Sequence, residues 1–307
     1  MTLSVVPSAS DNLDHLLAEP EALHRRLAAW NHRRLAVGKP HPGWRDDLRA
    51  DLEMQMIEGA FVESLRAEIA DRAAEAPTDV EGFVAWFEAL KENGPGQNHQ
   101  LFPWLSGEAS YEDMRWFLLQ EVAGEAGFDD LVAYAQVKMP TQPKLELARN
   151  YWDEMGRGNE GGMHGPMLAR LAEALNLHPT IEGTVWPSLA LGNALVAFST
   201  TRRYAYHAMG ALGVVELTAP WRAAHVAEGL KRLGVGKERQ YFALHSTLDI
   251  KHSEDWNEEV LRPLVAADPD CARYIAEGAL IRLTCGARCF EAYTDQLWGE
   301  TGLQQPA

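Results

Sequence analysis

The sequence has few cysteines, no long apolar run and no surplus of positive charge. Three cysteines occur among 307 residues, Cys271, Cys285 and Cys289, all near the C-terminus. They form neither a Cys-x-x-Cys pair nor a Cys/His zinc spacing, which excludes a disulfide framework and a structural zinc ribbon. The thiols are expected to be reduced and buried. No segment reaches the roughly 18 apolar residues of a membrane span. The start lacks the basic residues and apolar stretch of a signal peptide, so a cytoplasmic protein is expected. Lys and Arg number 28 against 44 Asp and Glu, a net charge of −16. That balance argues against a nucleic-acid groove, because phosphate neutralisation needs clustered cations. Alternating strand patterns are also missing.

What is present is helical periodicity along nearly the whole chain. Hydrophobic residues make up 46% of it, and a chain of this length can bury a sizeable core without cross-links. The pattern predicts a polar leader over residues 1–43 with one short helix, between Asn12 and Val37, and a single helical domain over 44–307. Helices are predicted from Trp44 to Ala76, with Leu48, Leu52, Met56, Phe61, Leu65 and Ile69 near helical spacing, and from Val80 to Glu92. A short apolar element follows at Leu101 to Leu105. One long helix is predicted from Tyr111 to just before Pro140, and another after Pro143 to Glu154. Glycines loosen the chain from Gly156 to Gly165. Helix then resumes over Leu168 to Leu177, runs from Pro187 to Leu217, breaks at Pro220, and continues from Trp221 to Gly234. Lys237 to Asp255, Glu258 to Ala266 and a final helix capped by Asp270 and ending near Trp298 complete the reading. The fold class is all-α.

The sharpest local signal is His245-Ser-Thr-Leu-Asp249-Ile-Lys-His252. On a helix, positions i, i+4 and i+7 lie within roughly 60° of each other, so three ligand types share one stripe. Glu121 and Glu216 sit in apolar helical segments, where an unpaired carboxylate costs several kcal/mol or stays protonated. Between them, glycines join Glu154 to His164, letting an acid on one helix and an imidazole on the next approach one point. Glu160 competes with Glu154, and Glu125 is the reserve for Glu121. Four acids would balance two divalent ions, and three neutral imidazoles complete an O- and N-rich, thiolate-free set. Such a set suits iron or manganese rather than structural zinc. The residues expected to hold metal are Glu121, Glu154, His164, Glu216, His245, Asp249 and His252.

Taken in order, Glu121, then Glu154 with His164, then Glu216, then Asp249 with His252, the chain resembles the haem-oxygenase-like diiron oxidases and oxygenases. The resemblance spans about residues 45–299 and implies a haem-oxygenase-like bundle of about seven core helices. Its implied cofactors are two iron ions, with O2 as cosubstrate and an external electron donor. The ten-residue separation of Glu154 and His164, and His245 one turn before Asp249, are similar to the N-oxygenating members. Members that cleave carbon–carbon bonds have a compact Glu-x-x-His and six ligands. The implied function is oxidation of an amine to a hydroxylamine or nitro group in a biosynthetic pathway. Oxidative cleavage or decarboxylation of a fatty or amino acid is the alternative.

The expected partners are a small-molecule amine, a reductase or small reductant, and a second copy of the chain as a homodimer, with no nucleic acid and no membrane. Tyr204, Tyr206, Arg202, Arg203 and Arg282 are candidates to orient the imidazoles. Trp152, Phe198, Met209 and Phe242 are candidates for the pocket wall. Paired Glu-x-x-His motifs, His-Asp doublets and His-Glu-x-x-His are absent, which counts against ferritin-like oxidases, HD phosphohydrolases and zinc peptidases. A non-enzymatic helical scaffold remains the reading in which these His and Glu are incidental.

Overall fold

The computed structural model describes residues 17–124 and 127–299. Thirteen α-helices follow one another among the described residues: α1 (Pro20–Leu35), α2 (Trp44–Ala73), α3 (Val80–Asn93), α4 (Leu101–Gly107), α5 (Tyr111–Gly124), α6 (Phe128–Ala135), α7 (Thr141–Glu154), α8 (His164–Ala174), α9 (Trp186–Thr200), α10 (Ala205–Arg232), α11 (Gln240–Trp256), α12 (Arg262–Ala267) and α13 (Cys271–Trp298). The only β pairing among them is an isolated bridge between Met155 and Met163.

Two helices organise the interior. At 28 residues each, α10 and α13 are roughly 42 Å long, and they pack against one another through glycines. A Cβ on Gly210 would lie 1.8 Å from the Ile275 carbonyl oxygen, and one on Gly278 would lie 2.0 Å from that of His207. Both helices run through two apolar clusters. Ala208 to Leu217 and Cys271 to Cys285 join the larger one, with Phe61, Phe87 and Trp256. Val226, Leu230, Phe290 and Tyr293 join the smaller, with Phe102, Phe117 and Leu171.

Several predicted boundaries change. Within the expected leader helix, residues 12–16 lie outside the described residues and the described helix runs from Pro20 to Leu35; it buries Leu23, Leu27 and Trp30 in the larger cluster, with His24 and Asn31 also buried. Along α2, Phe61, Leu65 and Ile69 are buried, whereas Leu48, Leu52 and Met56 are exposed, because the face that meets the core at this level carries Met54 and Ile57 instead. The single helix expected from Tyr111 to Pro140 is two, α5 and α6, with Gly127 at φ +70° before the second. The Pro187–Leu217 stretch breaks at Arg202–Tyr204, a 3-10 turn, not at Pro220.

Pro220 lies inside α10. It withholds the N–H that would bond the Glu216 carbonyl four residues earlier, so the helical ladder is interrupted at a candidate ligand. Asp270 precedes α13 but makes no side-chain capping bond. The three cysteines are free and buried. No helix among the described residues is long and apolar enough to cross a membrane.

Candidate metal centre

The turn between α7 and α8 brings an acid and an imidazole together. Gly156, Arg157 and Gly158 take positive φ values of 60°, 53° and 82°, a region that glycine enters without steric cost. A Cβ on Gly156 would meet the Gly162 backbone at 2.5 Å, so the two arms of the turn touch there. The Met155–Met163 bridge closes the loop. Glu154 ends α7 and His164 begins α8, and Glu154 Oε2 comes 2.7 Å from His164 Nδ1. Ten residues of sequence collapse to a contact.

Helices α10 and α11, which pack extensively on each other, deliver the rest. Glu154, His164 and His245 each place a ligand atom within 4.8 Å of the others. Glu154, Glu216 and His252 do the same, so Glu154 is common to both groups. His252 Nδ1 is 3.4 Å from Glu216 Oε2 and 3.9 Å from Asp249 Oδ1. Glu121 lines the same cavity but belongs to neither group; it accepts a hydrogen bond from the Tyr293 hydroxyl at 3.0 Å. Glu160 is exposed in the turn, away from His164's partners, and drops out as Glu154's competitor. Glu125 lies outside the described residues.

Each imidazole is aimed by a bond at its far side. His245 Nδ1 donates to the Tyr241 carbonyl at 2.7 Å, which directs Nε2 inward. His252 Nε2 is 3.3 Å from Asp153 Oδ2, and Arg157 holds Asp153 in turn. Asn150 Nδ2 donates to Glu216 Oε1 at 2.6 Å. These are the groups that orient metal-binding residues in general, and they are not the ones proposed from sequence. Tyr204 and Arg203 bind Glu63, and Arg202 bonds the Ala135 carbonyl. Tyr206 packs on the larger core cluster. Arg282 does reach the cavity. A signal for Asn150 was present: Glu146, Asn150 and Glu154 recur at every fourth residue, and all three are buried on α7.

The electrostatics are those of acids and imidazoles forced together. Burial and then the Glu216 charge push the Glu154 carboxyl up to about 8. Burial, Glu216 and Glu154 raise Asp249 well above the usual carboxylate range. Burial raises Glu121, although Arg222 and Tyr293 oppose it. Burial lowers His164 to about 4, and it also lowers His245. Burial would lower His252 too, but Glu216 beside it, with Asp153 and Glu154, lifts it to about 9.

His164 Nδ1, His252 Nδ1 and Asp249 Oδ1 are buried without a hydrogen-bond partner. Three orphaned acceptor-capable atoms around a shared carboxylate fit a divalent metal, which would satisfy lone pairs and acid charge together.

A cavity of about 180 Å³ adjoins the cluster, space for roughly a dozen waters or a small organic molecule. Its wall includes Phe242, as expected, and Phe102, Phe117 and Phe290. Trp152 instead lies half exposed over Gly158, and Phe198 and Met209 belong to the larger core cluster.

The profile of a family described as iron-containing redox enzymes matches residues 115–287, more than half of the chain and inclusive of all seven candidate ligands. The chain belongs to the iron-containing redox enzyme family. An oxidoreductase with the all-helical, haem-oxygenase-like fold follows from that membership. Crystal structures of a CADD-like protein of unknown function from Nostoc punctiforme, at 2.00 and 1.35 Å resolution, are among the solved structures that match the chain. Each has 18% identity and a TM-score of 0.46; they cover 80% and 81% of this redox enzyme and all of the other chain. No curated protein matches the sequence.

Proposed function

We propose that this redox enzyme is a two-iron oxygenase that uses O2 to oxidise the nitrogen of a small amine, giving a hydroxylamine or, after further turns, a nitro group. The observation that carries the reading is His245. It stands with Glu154 and His164, an imidazole beyond the six ligands of the carbon–carbon-cleaving pattern. Glu154, His164 and His245 would hold one iron; Glu216, Asp249 and His252 would hold the other, with Glu154 shared and Glu121 completing the set. Four carboxylates match the charge of two ferrous ions. When bound, the iron pair supplies the reduction of O2 and the transfer of one oxygen atom.

The chain's own residues set the conditions for that chemistry. Tyr241 and Asp153 fix the imidazole orientations, and Asn150 fixes Glu216. Phe102, Phe117 and Phe290 make part of the wall apolar, and low-dielectric surroundings strengthen charge interactions. The amine would be neutral in such a cavity, since an unpaired ammonium is costly there. Each turn consumes O2, two electrons and two protons and yields the hydroxylamine and water, so a reductase or small reductant is required.

Anaerobic loading with Fe(II) should give about two irons per chain, and Glu216→Ala should lose most of that iron. Exposed to O2, reductant and a panel of amines, the loaded protein should yield a product heavier by one oxygen. Release of carbon dioxide or chain fragments from fatty or amino acids, without oxygenated amine, would overturn N-oxygenation. Absence of bound iron would overturn the metal centre itself.

A further inference from the structure

Helix α2 carries two apolar faces. Met54, Ile57 and Phe61 turn one of them into the larger cluster. On the other side, Trp44, Leu48, Leu52 and Met56 recur at every fourth residue and are between 49% and 60% exposed. At about 100° per residue, the centre of this stripe lies roughly 170° from Met54 and Ile57, so it points away from the core. Large apolar side chains scattered singly over a surface are ordinary. Four in one row, running about 18 Å along a single helix, form a continuous patch of the kind that marks an interaction site.

The two edges of the stripe differ in charge. Arg45, Arg49 and Glu53 follow Trp44, Leu48 and Leu52 and form one edge; Asp47, Asp51 and Gln55 precede Leu48, Leu52 and Met56 and form the other. Arg45 and Arg49 thus stand across the stripe from Asp47 and Asp51, at the same level of the helix. Their partners within the chain lie at the surface. Arg49 meets Asp46 at 2.6 Å, Asp47 meets His41 at 2.6 Å, and Arg45 lies over the Trp44 ring. Asp51 accepts the Trp30 indole N–H at 2.8 Å, and Glu53 pairs with Arg26. Exposed ion pairs of this kind contribute little to stability, so exchanging them for new partners costs little.

We propose that this stripe is the contact face of a homodimer, in which two α2 helices pair in parallel about a two-fold axis running between them. A second copy offers the same apolar row, and the two-fold makes every contact reciprocal. The edges set the orientation. Parallel pairing places the basic edge of each subunit against the acidic edge of the other, whereas antiparallel pairing places like edges together and incurs repulsion. Rows at every fourth residue interlock when two helices cross at about −50°, the commonest packing class. Trp44, as the largest apolar side chain of the row, is the anchor. One helix per subunit makes a small interface, so the dimer should dissociate on dilution. None of the stripe or edge residues lines the metal cavity, and iron content therefore serves as a control for folding.

Sedimentation equilibrium of the full chain over about 1–100 µM should show the mass rising from 34.1 kDa toward twice that value. Leu48→Glu combined with Leu52→Glu buries unpaired acids in the contact and should raise the dissociation constant about tenfold or more, with helical content and iron content unchanged. Single cysteines read the orientation, because the three native thiols are buried. In parallel pairing Trp44→Cys and Met56→Cys each face their own copy, so each alone should crosslink with bis-maleimidohexane. Crosslinking only when the two variants are mixed means antiparallel pairing and overturns the proposal. A dimer indifferent to Leu48→Glu with Leu52→Glu overturns it as well, since the contact then lies elsewhere. So does a wild type that stays monomeric, including one that dimerises only after deletion of residues 1–16, which would make that segment the occupant of the stripe.

Discussion

His252 shows how a single side chain is committed by its two nitrogens. Nε2 meets Asp153, and Nδ1 is left among Glu216 and Asp249 with no hydrogen bond of its own. Asp153→Asn keeps the shape but removes the charge that aims the ring. Iron affinity should fall 10- to 100-fold, the usual cost of losing such a support, as measured by competition with a chromophoric chelator. His245 has a different part. Its loss leaves two acids and His164 on its side of the cluster, so His245→Ala should retain most of its iron. It should lose at least tenfold in amine oxidation, and equal turnover by wild type and variant would remove the basis of the nitrogen reading.

At the scale of elements, the α10–α13 crossing sets where Glu216, Arg222 and Arg282 lie. The glycines permit backbone-to-backbone approach that no other residue allows, because a Cβ at 210 would overlap the Ile275 carbonyl. Gly210→Ala must push the helices apart, and overpacking of this kind costs about 1–3 kcal/mol or more. The expected readout is a lower urea midpoint with diminished iron retention, and a variant as stable as wild type would contradict the crossing. Pro220 in the same helix interrupts hydrogen bonding at Glu216. The α7–α8 turn serves the partner acid, since its glycines convert ten residues of separation into contact.

On the scale of the molecule, a second polar cluster lies in the larger core, and none of its members lines the cavity. Glu277 is buried and pairs with His207 at 2.9 Å and Arg66 at 2.6 Å, with Arg273 on its own helix at 3.1 Å. Burial alone would raise its carboxyl, but His207 and Arg66 hold it down at about 2. A depressed acid stabilises the fold above its unfolded value and loses that contribution as pH falls toward the folded one. Glu277 should thus contribute on the order of 3 kcal/mol at neutral pH, vanishing between about pH 5 and 2. Denaturant titrations should find Glu277→Gln less stable than wild type at pH 7, with the gap closing by pH 2; a pH-independent gap would refute this.

Helical class and most helix bounds were legible in the sequence, because apolar spacing at 3.6 residues needs no partner to be read. The candidate ligands were legible for a related reason. Glu121 and Glu216 are charged groups in apolar helical segments, and burial of an acid demands a counterpart wherever the chain goes. Where the helices broke was decided by packing: Pro220 continued a helix that local propensity would end, while Gly127 opens a separate helix and Thr201 ends one where the periodicity would continue.

The supporting bonds were decided by tertiary structure alone. Asp153, Asn150 and the Tyr241 carbonyl acquire meaning only once α7 and α11 deliver them to the same point, and Tyr204 and Arg203 lose theirs by facing Glu63. The meeting of Arg222 and Arg282 is of the same kind. Sixty residues apart on two helices, they share a cavity wall through the packing of α10 on α13 and not by any local pattern.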